Sequence, residues 1–142
     1  MAETKYGKYI ITGARAKLFQ APGENRLEES ENVLVANLDD SLIKGAPLLE
    51  ASWLMPAGFE KQVPVQPHTH DFVEILVSFG SDPNNPHDLG AETEIWLAGE
   101  KHVINESHII YIPKGLEHGP MKYTRMDRPV FHFGVGLGEK YR

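Results

Sequence analysis

Apolar and polar residues alternate along this chain in short runs that are separated by turn residues. The runs are rich in β-branched and aromatic residues, with glycine and proline between them. This pattern predicts many short strands packed as a sandwich or barrel. We predict strands at 9–12, 33–36, 48–54, 72–79, 92–97, 102–103, 109–112 and 130–135.

Four segments lack this alternation. A short helix or turn is predicted near 37–44, and the acidic stretch 28–31 is interpreted as a solvated loop. Residues 80–90 contain several Pro and Asn, which favour turns over a central strand, so they are predicted to form a loop. The glycine-rich stretch 134–138 has no following helix that could receive a phosphate, and it is interpreted as a flexible tail.

The length and composition indicate one globular domain and exclude several classes of function. A chain of 142 residues with 41% hydrophobic residues can bury its own core. There is no cysteine, which excludes a disulfide framework and a thiolate nucleophile. The net charge of −6 argues against nucleic acid as a partner. No apolar run long enough to span a bilayer and no secretory signal are found, so we expect no membrane partner and a cytoplasmic location.

The segment from Pro67 to Glu74 carries the first cluster of candidate ligands. Side chains alternate faces along a strand, so His68, His70, Phe72 and Glu74 are predicted to share one face. Two imidazoles two residues apart can hold one ion, and a bend would turn the Glu74 carboxylate towards it. Two imidazoles and one carboxylate are a donor set for iron, manganese and related divalent metals.

A second segment, 112–120, supplies a further histidine. Pro113 and Gly115 predict a tight turn after an apolar strand, and His118 then opens the next strand. In a closed barrel this turn can bring His118 beside the first cluster. The predicted metal site therefore consists of His68, His70, Glu74 and His118.

The two segments resemble the two motifs of the cupin superfamily. His68, His70 and Glu74, followed by Gly80, match the first motif with a final gap one residue short. The second motif, Pro-x-Gly-x-x-His, is matched by Pro113, Gly115 and His118. Ser107 stands where the family has a glycine, and Met121 and Lys122 stand where it has an asparagine. The resemblance covers roughly 48–136.

The resemblance implies an all-β fold, a double-stranded β-helix or cupin jelly-roll barrel. The barrel is predicted at 46–142, after a strand-containing N-terminal arm at 1–45 that packs on the barrel or on a partner subunit. One divalent ion per chain is expected, with Fe, Mn, Ni and Zn all open. Small cupins of one barrel usually pair, so we expect a homodimer in which the arm adds strands to a neighbouring sheet.

The fold alone does not define the chemistry. One hypothesis is a metal-dependent enzyme of the oxygenase, isomerase or lyase type that acts on a small organic substrate. The alternative is a cupin that binds or senses a small molecule without turnover. Phe72 is predicted to line the substrate site, as Trp96, Tyr111 or Met55 could if the strand register allows. We interpret His132 as a hydrogen-bonded core residue, with a catalytic proton-shuttle role as the alternative.

Overall fold

The computed structural model describes residues 4–12, 32–59 and 64–137, and within them the chain is mostly β-structure. A 3-10 helix at Gly7–Tyr9 and a four-residue α-helix, α1, at Pro56–Phe59 are short exceptions. The strands are β1 (Val33–Leu38), β2 (Leu48–Leu54), β3 (Glu74–Gly80), β4 (Asp88–Leu97), β5 (Glu100–Glu106), β6 (His108–Ile112), β7 (His118–Met126) and β8 (Val130–Gly136).

The strands form two antiparallel sheets that face each other. The larger sheet has the order β1-β2-β8-β3-β6, and the smaller sheet has the order β5-β4-β7. Neighbours in the larger sheet are distant in sequence, since β8 lies between β2 and β3. This topology confirms the predicted all-β fold, a double-stranded β-helix.

The space between the sheets has an apolar end and a polar end. Register places Leu54, Val130 and Gly80 in one row across β2, β8 and β3, and Leu48, Gly136 and Glu74 in another. Val130 packs at the first end with Leu89 and Ala91, and all three are fully buried. Burying each large side chain contributes about 1.5–3 kcal/mol, so this cluster anchors the two sheets and leaves the other end for polar groups.

The two outward sheet faces differ in character. On the smaller sheet, Glu94 forms ion pairs with Lys101 and Lys122 and the surface is charged. On the larger sheet, the outward-facing residues of the paired strands are all apolar. We call the surface that they form the outer face. It comprises Val33, Ala36, Leu38, Leu49, Ala51, Trp53, Ile75, Val77, Phe79, Ile109, Tyr111, Phe131, Phe133 and Val135.

The prediction of a flexible tail at 134–138 is wrong for residues 134–136, whereas residue 138 lies outside the described residues. Gly134 and Gly136 belong to β8, which pairs with β2 on one side and β3 on the other. A Cβ atom at Gly136 would lie 2.9 Å from Cε1 of Phe72, so the absence of a side chain is needed for packing. Glycine carries no polarity signal, which is why alternation placed the end of the strand at residue 135 and not at Gly136.

Other predicted elements differ from the structure in position. The strand at 9–12 is not formed, because Gly7–Tyr9 is a 3-10 helix without strand pairing. Strand β4 begins at Asp88, so the loop predicted at 80–90 is shorter. Residues 40–45 form the turn expected near 37–44. The stretch 28–31 lies outside the described residues.

The predicted arm at 1–45 contains one described strand. Strand β1 pairs with β2 and forms an edge of the larger sheet, with a register shift between Leu34 and Ala36. Asn37 of this strand points inward and is buried. The division of the chain at residue 45 stays a prediction.

Candidate metal centre

Backbone pairing brings the two ligand segments together at the polar end of the barrel. His68 and His118 form an antiparallel bridge, in which each amide donates to the other carbonyl at 3.0 Å. The amide of Gly115, in the turn after β6, donates to the carbonyl of His70 at 2.9 Å. A bend at Asp71 and Phe72 then leads to Glu74, the first residue of β3. The predicted bend before Glu74 is therefore present.

The four predicted ligands converge on one point. One ligand atom from each of His68, His70, Glu74 and His118 lies within 4.8 Å of all the others. The Nε2 atoms of His68 and His70 are 3.1 Å apart, and Oε1 of Glu74 lies 3.1 Å from Nε2 of His118. Ligands about 2.1 Å from an ion and at right angles are about 3.0 Å apart, so these spacings fit one shared cation.

Backbone carbonyls orient two of the imidazole rings. Nδ1 of His68 donates to the carbonyl of Gln66 at 2.7 Å, and Nδ1 of His118 donates to the carbonyl of Leu116 at 3.0 Å. A carbonyl accepts only, so Nδ1 carries the proton in both rings. In the neutral imidazoles, Nε2 then presents its lone pair towards the common point, as metal-binding histidines do.

The environment of His118 fits a metal ligand better than a structural hydrogen bond. Its Nε2 atom is buried and, among the described residues, has no hydrogen-bond partner of acceptable angle, although Glu74 is close. Burial lowers the pKa of His118, but the Glu74 carboxylate and the Leu116 carbonyl outweigh it and raise the pKa above the usual 6.5. A cation at the common point would satisfy both the orphaned nitrogen and the buried carboxylate.

Phe72 supports the site from the side. Its ring stacks on that of His70 with centroids 4.6 Å apart and an interplanar angle of 12°, and it is buried. The aromatic wall predicted beside the ligands is therefore in place, whereas its role in substrate binding stays a prediction. Trp96 lies under Nζ of Lys101, and Tyr111 points outward and is 61% exposed, so neither lines the ligand cluster.

His132 lies deeper in the barrel than the metal ligands. It is four residues along β8 from Gly136, which pairs with Glu74, a separation of about 13 Å along the strand. Nδ1 of His132 is 2.9 Å from Oγ of Ser78, and the Tyr123 hydroxyl donates to the same oxygen at 3.4 Å. Burial raises the pKa of Tyr123 and keeps the phenol neutral. The catalytic role considered for His132 stays a prediction.

Register also reveals an inward carboxylate that the sequence did not. Glu50 of β2 pairs with Gly134, which pairs in turn with Leu76. This row lies two residues further along the strands than the row that contains Glu74, on the same inward face. Glu50 is half-buried on the inward face. Only the strand register could identify it, because one acidic residue among apolar neighbours carries no motif.

These features define a small two-sheet barrel with a candidate metal centre at one end, and its fold is the double-stranded β-helix of cupins. It is similar to an oxalate decarboxylase from Lactobacillus farciminis solved as a formate complex, with 12% identity and a TM-score of 0.50. The alignment covers 82% of this chain and 31% of that one. Neither a protein-family model nor a curated protein matches the sequence.

Two further solved structures are similar over most of the chain. An RmlC-like cupin with a double-stranded β-helix fold from Methanocaldococcus jannaschii is 13% identical, with a TM-score of 0.48. The alignment covers 87% of this chain and 95% of that one. The DMSP lyase DddQ from Ruegeria pomeroyi is 14% identical, with a TM-score of 0.49 and coverage of 89% and 57%. At such identities the likeness concerns the fold. Within the described residues, no helix is both long and apolar enough to cross a bilayer.

Proposed function

We propose that this protein binds one divalent metal ion through His68, His70, Glu74 and His118 and acts as a metal-dependent enzyme on a small organic molecule. The observation that carries the proposal is the convergence of three imidazoles and one carboxylate around a buried, orphaned Nε2. Hydrogen bonds from the ring Nδ1 atoms to carbonyls orient two of these ligands, as they do in histidines that bind a metal.

The donor set defines the kind of chemistry that the site can support. A bound divalent ion would supply Lewis-acid or redox chemistry. Four protein ligands leave two positions on an octahedral ion, enough for a bidentate substrate or for substrate and oxygen. Iron or manganese would suit an oxygenase, and zinc or nickel an isomerase, lyase or hydrolase.

The chain's own residues have separate roles in this proposal. Phe72 holds the His70 ring in its orientation and forms a dry wall beside the ligands. The single carboxylate of Glu74 would neutralise only part of the charge of a divalent ion. The remaining positive charge would favour an anionic substrate oxygen in the open positions. Glu50 faces the interior of the barrel from β2, and in this proposal it would exchange a proton with a bound molecule.

Elemental analysis of tag-free protein, purified without added metal or chelator, tests the metal site. We expect near-stoichiometric iron, manganese, nickel or zinc in the natural protein and its loss in the His118→Ala and His70→Ala variants. His102→Ala is the matched control, because His102 pairs with Glu100 on the surface of the smaller sheet. If the natural protein contains no metal and takes none up on reconstitution, the proposed function is wrong.

The identified metal then selects the assay for turnover. If the metal is iron or manganese, oxygen consumption is measured with candidate substrates. If it is zinc or nickel, panels of isomerase, lyase and hydrolase reactions are tested. Activity that depends on metal and is lost in Glu50→Gln, with metal content retained, would support the enzyme. Tight binding of a small molecule without any turnover would instead favour a binding or sensing protein.

A further inference from the structure

A polar cavity lies on the smaller sheet, at the end opposite the metal centre, and we call it the distal cavity. Its volume is about 310 Å³, at the lower end of the range for small-molecule sites. Strand β4 runs from Asp88 at this cavity to Leu97, which pairs with His118, so the two sites are up to about 30 Å apart along the strand. The residues that line the cavity are all polar or charged: Asn85, His87, Asp88, Asn105, Glu106 and Arg125.

An irregularity in the smaller sheet opens the distal cavity. Asp88 pairs with Glu106 and Thr93 pairs with Ile104, so five steps along β4 correspond to two steps along β5. The three additional residues of β4 interrupt the ladder, and a strand bends where such extra residues are inserted. Across this gap, Arg125 of β7 lines the same space as the residues at the end of β5.

Ser107 holds one wall of the distal cavity in place. Its Oγ donates to the carbonyl of Pro86 at 2.6 Å and accepts from the amide of Gly80 at 2.9 Å, and its amide donates to the carbonyl of His87 at 2.9 Å. These bonds tie the loop that carries Asn85 and His87 to the corner between β5 and β6. A wall fixed in this way lowers the cost of ordering the site when a ligand binds. The serine that stands in place of the cupin glycine therefore makes two bonds that a glycine could not make.

The acidic side of the distal cavity holds two carboxylates next to each other. Asp88 and Glu106 are directly opposite across β4 and β5, an arrangement in which like charges repel. Nη2 of Arg128 and the amide of Gly90 bind the Asp88 carboxylate, and they lower its pKa so that the group stays ionised. Among the residues that the structure describes, no cation forms an ion pair with Glu106. This side of the cavity therefore favours a positively charged group.

Arg125 contributes the opposite charge from β7. Its Nε atom lies 3.2 Å from Oδ2 of Asp127, in an ion pair whose side chains are 51% and 59% exposed. Exposed pairs of this kind contribute little, so a ligand carboxylate can compete for the guanidinium, whose planar fork matches a carboxylate. The side-chain amides of Asn85 and Asn105 add neutral donors and acceptors.

We propose that the distal cavity binds a small zwitterion, a molecule of amino-acid size that carries one ammonium and one carboxylate group. The ammonium group binds beside Glu106 and Asp88, and the carboxylate binds Arg125. A simple anion would meet two carboxylates and a simple cation would meet a guanidinium, so the mixed charges select a ligand that has both. The polar walls offer no contact to a large apolar side chain, which favours an amide or hydroxyl side chain. The inference uses none of the metal ligands and does not depend on the proposed function.

Titration with L-glutamine and L-serine, followed by the backbone amide signals in NMR spectra, tests the site. We expect saturable binding of at least one of them in the millimolar range, with shifts that centre on residues 85–88 and 105–106. N-acetyl-L-glutamine lacks the ammonium group and L-glutamine amide lacks the carboxylate, so each should bind at least about tenfold more weakly than L-glutamine. The proposal is overturned if neither amino acid binds, or if the two blocked compounds bind as tightly as L-glutamine.

Variants that remove one charge test which side of the cavity binds which group. Glu106→Gln should abolish the preference for L-glutamine over its N-acetyl form, and Arg125→Gln should abolish the preference over the amide. Glu100→Gln and Lys122→Gln are the matched controls, because they remove the same charges from β5 and β7 outside the cavity and should bind as the natural protein does. Equal losses in Glu100→Gln and Glu106→Gln would show that binding follows net charge, and the proposal would fail. Metal content should be unchanged in all four variants, which separates this result from the fate of the metal centre.

Discussion

Glu74 is the residue that sets the charge of the candidate metal centre. Its Oε1 atom lies 3.1 Å from Nε2 of His118 and 3.7 Å from Nε2 of His70. In Glu74→Gln a neutral amide replaces the carboxylate, so metal affinity should fall at least about 100-fold, since even outer-shell changes cost 10- to 100-fold. Isothermal titration calorimetry of metal-free protein with Mn²⁺ or Zn²⁺ measures this change.

The control for this prediction is another shielded carboxylate outside the cluster. The Glu94 side chain is 14% exposed, compared with 11% for Glu74, and it forms ion pairs with Lys101 and Lys122. Glu94→Gln should leave metal affinity unchanged. Equal losses in the two variants would indicate a general effect of charge and not coordination by Glu74.

Gly136 packs against the ring of Phe72, which lies beside the candidate metal centre. A Cβ atom at Gly136 would lie 2.9 Å from Cε1 of Phe72, whose ring stacks on His70. In Gly136→Ala the ring must shift, so we predict about a tenfold loss of metal affinity without removal of any ligand. Gly134→Ala is the control, because its nearest contact would be the flexible end of Leu76 at 3.3 Å, and the Ile75 carbonyl at 3.9 Å is at ordinary contact distance. The idea fails if both variants bind metal as the natural protein does.

At the level of elements, an ion pair attaches the turn between β7 and β8 to the start of β4. Nη2 of Arg128 donates to Oδ2 of Asp88 at 2.7 Å, and the amide of Gly90 donates to Oδ1 at 3.0 Å. The amides of Asp127 and Arg128 both donate to the carbonyl of Gly90. The bond from Arg128, assisted by the Gly90 amide, lowers the pKa of Asp88 below its usual 3.8.

This lowered pKa predicts the pH dependence of stability. Because the folded-state pKa lies below the unfolded value, the contribution of Asp88 is present above pH 3.8 and is lost as the pH falls through the lower folded value. The stability gap between the natural protein and Asp88→Asn should therefore narrow as urea denaturation is repeated from pH 6 to pH 3. The partners are 39% and 41% exposed, so we expect a small gap that shrinks further in salt.

Asp127→Asn is the control for this pH dependence. Asp127 lies in the same turn, pairs with Arg125 at 3.2 Å and does not contact the carboxylate of Asp88. The Asp127→Asn variant therefore measures the general effect of removing one negative charge on stability. A gap for Asp88→Asn that stays constant from pH 6 to pH 3 would contradict the linkage to Arg128.

The sequence predicted the elements whose signal is local. The ligands His68 and His70 are two residues apart, and Pro113, Gly115 and His118 form a short motif, so spacing alone identified the candidate site. Strand β2 was predicted with its observed bounds because turn residues bound a mostly apolar segment. The strand predicted at 130–135 ends one residue before β8 does, because Gly136 carries no polarity signal, although β8 lies in the middle of the sheet.

Features that depend on strand order could not be predicted from the sequence. Glu50 faces inward only because β2 pairs with β8, a strand about eighty residues later in the chain. The apolar character of the outer face results from the same register, since its residues come from five strands. Runs such as Phe131 to Phe133 predicted a strand. Which of its side chains point inward and which point outward was determined by pairing with strands that are distant in sequence.

At the scale of the whole molecule, metal binding should stabilise the fold. His68 and His118 bridge the segment before β3 to the start of β7, so an ion held by these residues joins the two sheets. At a free ion concentration of about 100 times Kd, binding adds about 2.7 kcal/mol of stability. For a domain of this size, that corresponds to a rise in Tm of roughly 10 °C.

Differential scanning fluorimetry of natural protein and His118→Ala, at fixed protein concentration, measures this effect. Fixing the concentration matters because association of two copies, as in the predicted homodimer, would also raise the Tm. The rise should be reversed by a chelator and absent in His118→Ala, while His102→Ala should retain it because His102 lies outside the cluster. An equal rise in all three proteins would mean that the ion binds surface carboxylates. The link between sheet packing and the four ligands would then be lost, since the ion would no longer connect β3 to β7.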